Sequence, residues 1–390
     1  MASAVQYRIV GSGPVALACA LFMVRGGVDP RRIRLPLPPQ TALPADADGG
    51  KTGAGARRML ALSEGSRQLL TRIIRMPGGG LIERIEVALS GRSGRTRIEA
   101  RDFSVAALGH VVPYGDLVAA LREASGQIGF AGASPEIGDA GGHGSDAAAT
   151  VTIHAGGMPG TQDQDRQGFK SHDFQQCALL VEVAAQAAGT TAYECFGPHG
   201  PLALLPADRG HGARYAVVWC DRPQTTAARA AMTPGRLASA LHDALRDCGI
   251  APSVLGSLRV CSPVAVAPLV RVRRQRSAAG NEVWIGNAAQ SLHPVAGQGL
   301  NLGLRDAFEL ARMLADAEYS TPARAVVQVL QSFASQRRAD RSITTGVTDL
   351  LAAGFTWPLA RPLQSALLTA MDLLPPVRRP LASALLFGRR

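Results

Sequence analysis

Lysine is nearly missing from this chain. Lys51 and Lys170 are the only two among 41 lysines and arginines, which leaves 39 arginines in 390 residues. With 43 glycines and abundant alanine, that bias reads as GC-rich coding, so the net charge of +11 is weak evidence for a polyanionic partner. The arginines are spread along the chain, and only 5 tyrosines and 3 tryptophans are available to stack on bases. Nucleic-acid binding is therefore not expected. Long apolar runs are missing too; none reaches the roughly 18 residues that a spanning helix needs. The apolar stretch Val15 to Val24 follows a strand-like segment and the breakers Gly11 and Gly13, with only Arg8 ahead of it. It is read as part of the mature protein and not as a signal peptide. The cysteines Cys19, Cys177, Cys195, Cys220, Cys248 and Cys261 make no C-x-x-C pair, and no histidine stands at ligand spacing from one. This argues against a structural zinc site and for reduced thiols in a cytoplasmic protein.

What is present is a globular composition, 46% hydrophobic and 18% charged, long enough for two domains. The chain opens with a strand signal at Tyr7 to Val10. Gly11-Ser12-Gly13-Pro14-Val15-Ala16 follows in the form G-x-G-x-x-A, then an apolar helix to Arg25 stopped by Gly26 and Gly27, then a second strand from Val28 to Leu35. Strand, glycine turn, helix and strand in this order make the dinucleotide-binding βαβ unit. The acid expected about 20 residues on, to bind a ribose, is missing. That region reads Arg34-Leu35-Pro36-Leu37-Pro38-Pro39, with Asp46 and Asp48 only further along.

A second glycine-rich stretch runs from Trp284 to Asp306: a short strand over Val283 to Ile285, a loop of small residues with Pro294, the run Gly297-Gln298-Gly299, then helical spacing at Leu300, Leu304, Phe308 and Leu310. Glycines at a helix start let backbone N–H groups approach an anion. Taken alone, an ordinary strand-to-helix connection explains the stretch equally well.

Between these ends, spacing predicts a helix over Ala56 to Arg75. Two strands, Ile82 to Leu89 and Arg95 to Ala100, flank a turn at 90–94. A helix spans Asp116 to Ala124, residues 131–148 read as loop, and a strand covers Val151 to His154. From Ala178 to Cys261 the pattern turns to β, with strands at Leu179 to Val183, Thr191 to Phe196, Ala203 to Pro206 and Tyr215 to Trp219, and an amphipathic helix at Pro234 to Cys248. A block of strands between two α/β portions implies a second domain built as a sheet.

The combination resembles the flavin-dependent aromatic hydroxylases with one βαβ FAD domain. Within them it is similar to the ubiquinone-biosynthesis hydroxylases. The carrying residues are GNAAQSLHPVAGQGLNLG at 286–303, with GHVVPYGDL at 109–117, FGPHGPLALLP at 196–206, VVWC at 217–220 and QRRADRSITTGVTDLL at 336–351. Most of that superfamily has Asp where Asn287 stands, and the G-N-A-A-Q-x-L-H-P variant is similar in particular to the 2-polyprenyl-6-methoxyphenol hydroxylases.

The resemblance implies non-covalent FAD, reduction by NADH or NADPH, and a flavin C4a-hydroperoxide that hydroxylates a polyprenyl phenol with O2. It implies an α/β fold of the class A flavoprotein monooxygenase type. The Rossmann-like FAD-binding domain would comprise 1–75, 105–165 and 280–330, the inserted β-sheet substrate domain 76–104 and 166–279, and a helical C-terminal region 331–390.

The implied cofactor-binding residues are Gly11, Gly13, Ala16, Arg58, Gly286, Asn287, Pro294, Gly297, Gln298, Gly299 and Asn301. Gly11 and Gly13 would admit the diphosphate, Ala16 would keep helix and strand close, and Arg58 would stand near the flavin or be a solvated helix arginine. Pro294 and Gly297 to Gly299 would pass the ring, and Asn301 would contact it. His293 and Pro294 are the candidate catalytic positions, His293 either as acid/base or as a structural residue of a proline-bounded loop. Gln176 matches a glutamine near the domain junction.

Three positions where the family has acids are neutral here, at Pro36, at Gly156 in Ala155-Gly156-Gly157, and at Asn287. They leave open a non-catalytic member acting as a subunit of a ubiquinone-biosynthesis complex, and a hydroxylase of another phenol is a further alternative. The tail over 355–390 carries Arg361, Arg378, Arg379, Arg389 and Arg390 among apolar stretches, with Asp372 its one acid. A basic amphipathic surface of this kind can lie on the anionic inner membrane; helices packing on the FAD domain are the other reading.

Overall fold

The structure is a computed structural model that describes residues 5–37, 58–91, 94–131, 150–158, 168–187, 189–207, 212–292, 297–320, 326–354 and 361–388. Asp46, Asp48 and the loop expected over 131–148, apart from Ala131, lie outside them. The chain begins with strand β1 (Gln6–Val10), in which Tyr7 and Ile9 are buried and their neighbours are not. Helix α1 (Pro14–Arg25) starts on a proline, whose missing N–H costs nothing at that position, and is buried from Pro14 to Met23. Its chain turns away through Gly26 and Gly27, and β2 (Ile33–Arg34) pairs parallel with β1.

The stretch expected as one helix over Ala56 to Arg75 is instead β3 (Met59–Ser63) followed by the short α2 (Glu64–Leu70). After it come β4 (Gly80–Ile82), β5 (Arg84–Leu89), β6 (Arg95–Glu99), β7 (Gly109–Pro113) and α3 (Tyr114–Gly126). Leu60 and Leu62 fit a period of two as well as helical spacing. Antiparallel pairing of β3 with β7 settles the choice, and Ser63 then caps α2 by accepting the Ser66 N–H at 3.3 Å.

Next are β8 (Thr150–His154), β9 (Phe169–Ala184), β10 (Thr191–Phe196), β11 (Pro201–Pro206), β12 (Arg214–Asp221), α4 (Pro223–Ala230), α5 (Pro234–Asp247), α6 (Pro252–Leu255), β13 (Arg259–Val260) and β14 (Ala265–Arg274). β9 is sixteen residues long, where sequence spacing predicts only Leu179 to Val183. Its first half is mostly exposed and polar, so no alternation marks it. Its partner β14 also escapes a sequence reading because Pro268 interrupts it. The register shifts between Pro268 and Val270, and Gln175 adopts φ 54° nearby, as at a bulge. The chain closes with β15 (Ala278–Ala279), β16 (Glu282–Trp284), β17 (Gln290–Ser291), α7 (Gln298–Ser320), α8 (Val326–Gly354), α9 (Arg361–Leu373) and α10 (Pro375–Phe387).

The described strands form three sheets. In the first, ordered β15-β16-β8-β1-β2, the pairs β16–β8, β8–β1 and β1–β2 are parallel. α1 and α7 pack against it with Ile9, Leu17, Phe22, Ile153, Leu304 and Leu310 in one core. The second sheet runs β17-β14-β9-β12-β11-β10-β5-β6, with β13 beside β9. One of its faces is covered by α5, whose Leu237, Leu241 and Leu245 pack on Leu179, Val181 and Trp219. The other face looks toward the third sheet, β3-β7-β4, and toward α10, where Ala192 and Ala216 meet Val111, Ala382 and Leu386.

The last two helices close the edge of the second sheet at β6. The Arg97 N–H donates to Asp372 Oδ1 at 3.0 Å, and Arg378 Nη1 donates to the Arg97 carbonyl at 2.6 Å. Side chains here satisfy the backbone groups that an edge strand would otherwise expose. The tail thus docks on the β sheet and on α2, where a Cβ at Gly65 would lie 2.7 Å from the Leu386 carbonyl oxygen.

Candidate functional site

Three parallel strands, β1, β8 and β16, end side by side, and each runs directly into a turn that contains glycine. The turns are joined by backbone: Ala155 N–H donates to the Val10 carbonyl at 2.8 Å, and Ile285 N–H to the His154 carbonyl at 2.9 Å. Ligands of open parallel sheets gather at this end of the strands. Gly11 leaves β1 with φ 126°, and a Cβ there would stand 2.7 Å from Gly156 N. Only glycine fits between these two turns. Gly13 is the N-cap of α1 and supplies no side-chain cap, and no acid occupies the first turn, so the helix N-terminus offers its N–H groups to an anion. Ala16 is fully buried beneath it.

The two glycine stretches, distant in sequence, are packed on one another. A Cβ at Gly303 of α7 would lie 2.9 Å from Val15 Cγ2 and 3.1 Å from the Gly286 Cα. This close approach seats the Gly286–Ala288 turn over the start of α1 and brings both halves of the predicted site together. Asn287 is exposed at the centre of that turn. The turn is braced from behind by Trp284, stacked on His154 at 4.9 Å and covered on its ring by the Arg274 guanidinium at 3.8 Å. Burial lowers the His154 pKa, against the opposing pull of the Glu282 carboxylate at 3.5 Å.

Arg58 is exposed just before β3, with its guanidinium 5.4 Å from the centre of the Tyr114 ring. The Tyr114 hydroxyl in turn faces Gly13. Arg58 is therefore neither a helix residue nor remote from α1, and it adds positive charge on the side where an anion would sit. Gln298 is buried at the first position of α7, and Gly299 follows it half-buried. Asn301 differs from its expected role. Its side chain is buried, accepts the Ser63 N–H at 2.8 Å, and donates to the carbonyls of Ala61 at 3.0 Å and Gly297 at 2.8 Å. With both ends of the amide spent on backbone, Asn301 locks β3 to the glycine turn and works as a positioning residue. Gln176 is likewise buried and donates to the His199 carbonyl at 2.6 Å. His293 and Pro294 lie outside the described residues.

A family model described as "FAD binding domain" matches residues 140–342. The chain belongs to this FAD-binding domain family. It is 30% identical over 207 residues to 3-demethoxyubiquinol 3-hydroxylase of Escherichia coli, covering 51% of this chain and 50% of that protein. It is 28% identical over 209 residues to ubiquinone hydroxylase UbiL of Rhodospirillum rubrum, covering 52% and 47%. The chain spans about half the length of the curated relatives it matches. In fold it is similar to pqsL, a probable FAD-dependent monooxygenase from Pseudomonas aeruginosa, with TM-score 0.69 and 16% identity over 93% of this chain and 99% of that one.

The residues present fit the cofactor of an FAD-binding domain. The uncapped α1 N-terminus, the cradle that a Cβ at Gly11 would fill and the Arg58 guanidinium suit a diphosphate. No carboxylate stands at the β2 end among the described residues Leu35 to Leu37.

The sequence reading missed the ion cluster that anchors this site from behind. Asp306 of α7 is fully buried and receives Arg337 Nε at 2.7 Å and Arg341 Nη2 at 2.7 Å, both from α8. Burial pushes the Asp306 carboxyl up, but the two guanidinium groups outweigh it and hold the pKa below the usual carboxylate range. Arg341 also reaches the Trp284 carbonyl at 3.4 Å, tying α8 to the strand that leads into Gly286. A signal was available in the sequence: Arg337, Asp340 and Arg341 at spacings of three and four in an otherwise periodic helix.

Proposed function

We propose that this chain is an FAD-dependent monooxygenase that hydroxylates a polyprenyl phenol in ubiquinone synthesis, using NADH or NADPH and O2. The observation that carries the reading is the convergence of two glycine turns, Gly11 to Gly13 and Gly286 to Ala288, on one strand end in a chain whose curated relatives are named as ubiquinone hydroxylases. FAD, when bound, supplies the redox chemistry: it takes a hydride from the nicotinamide and activates O2 for transfer of one oxygen atom to an electron-rich ring. The chain's own part is to bind, orient and exclude water.

The α1 N-terminus and Arg58 hold the diphosphate. The Asn287 amide can donate to or accept from the cofactor where relatives of the superfamily use a carboxylate. Backbone N–H groups at Gln298 and Gly299 open α7 and offer dipolar stabilisation to negative charge on the cofactor ring. His293 and Pro294 precede that turn in sequence and remain our candidates for the residues nearest the reacting ring. The apolar face of the second sheet supports a substrate compartment from which water is kept out.

A polyprenyl phenol resides in a bilayer, so the protein must meet a membrane surface. No helix among the described residues is long and apolar enough to cross one. Leu373 and Leu374, 72% and 52% exposed where α9 meets α10 beside the exposed Arg379, support peripheral contact. The neutral Pro36, Gly156 and Asn287 favour the second reading, a non-catalytic subunit of the biosynthetic assembly.

A visible spectrum of the purified protein, with and without added FAD, separates the two. Flavin bands, and NAD(P)H oxidation stimulated by a prenylated phenol with gain of one oxygen in the product, are expected of the enzyme. No flavin uptake at micromolar FAD defeats the enzyme reading. Turnover of soluble phenols alone moves the substrate to another phenol.

A further inference from the structure

One buried carboxyl oxygen on the second sheet has no hydrogen-bond partner among the described residues. Strand β10 places Tyr193 and Cys195 on the face covered by α5, and Glu194 on the opposite face. Across the sheet Glu194 lies in one row with Val87, Ala203, Val218, Leu180 and Ala265, each paired in register with the next. On one side the adjoining row, Leu89, Phe196, Cys220 and Ala178, is fully buried. On the other, Ala192 and Ala216 pack into the cluster beneath α10. The Glu194 row differs in part: Ala203 is buried, but Val87, Glu194, Val218, Leu180 and Ala265 are only half-buried, Val87 packed beside Phe196 and Leu180 and Val218 beside Cys220. The row is thus an apolar slot less covered than the rows on either side, on the face that looks toward β3.

Within that slot Glu194 Oε2 is shut off from solvent and receives no hydrogen bond from the described residues. Desolvation alone raises its pKa, to about 7. Among the described residues no cation pairs with it: Glu182, on the same face, faces Arg214 at 3.9 Å, Asp372 of α9 is bonded to β6, and the Cys220 thiol of β12 is itself pushed up by burial. A buried acceptor without a donor costs free energy and is kept where a ligand satisfies it.

We propose that Glu194 is a substrate-binding residue that receives the hydroxyl of the phenol ring in this slot. As carboxylate it accepts the O–H hydrogen bond, and it takes the proton as charge moves into the ring. The phenol O–H bond breaks, an O–H bond forms on Glu194, and nothing is oxidised or reduced in that step. The ring becomes more electron-rich at the positions an electrophilic oxygen attacks. The proposal names the substrate contact of the activity proposed above and rests on that reading for its role in turnover, though not for binding.

The test uses 2-prenylphenol and its methyl ether, which lacks the donor, titrated calorimetrically into the full chain with and without FAD. The wild-type protein is expected to prefer the phenol by about tenfold or more at pH 8, and less at pH 6 as Glu194 gains a proton. Glu194→Leu should abolish the preference. Glu194→Gln, a near-isostere that guards against a folding artefact, should leave a reduced preference with no pH dependence. An unchanged preference in Glu194→Leu, an unaltered pH profile in Glu194→Gln, or no preference in the wild type overturns the proposal. A Glu194-dependent preference in a protein that takes up no FAD would leave this contact standing and remove the monooxygenase reading. Turnover with a preference indifferent to Glu194 would do the reverse.

Discussion

At Gly11 a single hydrogen in place of a methyl group separates an open cradle from a blocked one. In Gly11→Ala the new Cβ would press on Gly156 N at 2.7 Å and on the Ala155 carbonyl oxygen at 2.8 Å, at a φ of 126° that side chains resist. The expected result is a loss of about 1–3 kcal/mol in stability, read by urea unfolding, and weakening of FAD affinity by about tenfold or more, read by flavin fluorescence titration. Glu194 makes the opposite kind of prediction. Its carboxyl is raised by burial from an ordinary 4.5 to about 7. The folded protein then holds that proton where the unfolded chain has released it. Its contribution to stability is complete below about pH 4.5 and lost as pH rises through about 7. Between pH 5 and pH 8 the wild type should lose about 1–3 kcal/mol more than Glu194→Gln, compared by urea unfolding at both pH values.

Among the elements, α7 and α8 are joined by the Asp306 cluster as well as by Leu330 and Phe333, which share one core with Leu310 and Leu314. Asp306→Asn would leave Arg337 and Arg341 buried with one negative charge fewer between them. Breaking a buried pair costs about 3–5 kcal/mol, which chemical denaturation would register. Because Arg341 also holds the Trp284 carbonyl, the same variant should loosen the Gly286 turn and weaken FAD retention. The α9–α10 corner bears on membrane contact. Of the tail arginines, Arg378 is turned inward to Asp102 at 2.9 Å, so the exposed leucines carry more of the surface than the charge count implied. Leu373→Asp with Leu374→Asp should reduce flotation with anionic vesicles while leaving turnover of a short-chain phenol intact. Undiminished flotation would exclude this corner.

For the molecule as a whole, the cofactor is a mass-action stabiliser. FAD at one hundred times its Kd should add about 2.7 kcal/mol and raise the melting temperature by several degrees, followed by circular dichroism with and without FAD. A non-catalytic subunit that binds no flavin would melt at the same temperature in both. The C-terminal helices join this cooperativity because α9 and α10 close the β6 edge and α10 packs on α2. Trimming them should expose that edge as well as remove leucines.

Local chemistry made much of this legible in one dimension. The β1–α1 turn needs glycine at Gly11 whatever surrounds it, and α1, α3, α5 and the strands from β10 to β12 carry their period in their own side chains. The family motif over 286–303 likewise marks a glycine turn that the fold packs against the start of α1. What escaped the sequence depends on pairing between distant segments. Met59 to Ser63 is a strand because β7 lies beside it, and the exposed first half of β9 is a strand because β14 does. Asn301 reads as a ligand until the backbone of β3 is seen to use both ends of its amide. Glu194 reads as an ordinary strand residue until the register across β5, β11 and β12 turns it onto the face opposite α5, where its Oε2 is buried with no donor among the described residues. A side chain's type and spacing are local properties, fixed by the residues themselves. Whether its polar atoms are already satisfied is fixed only by what the fold brings within 3 Å of them.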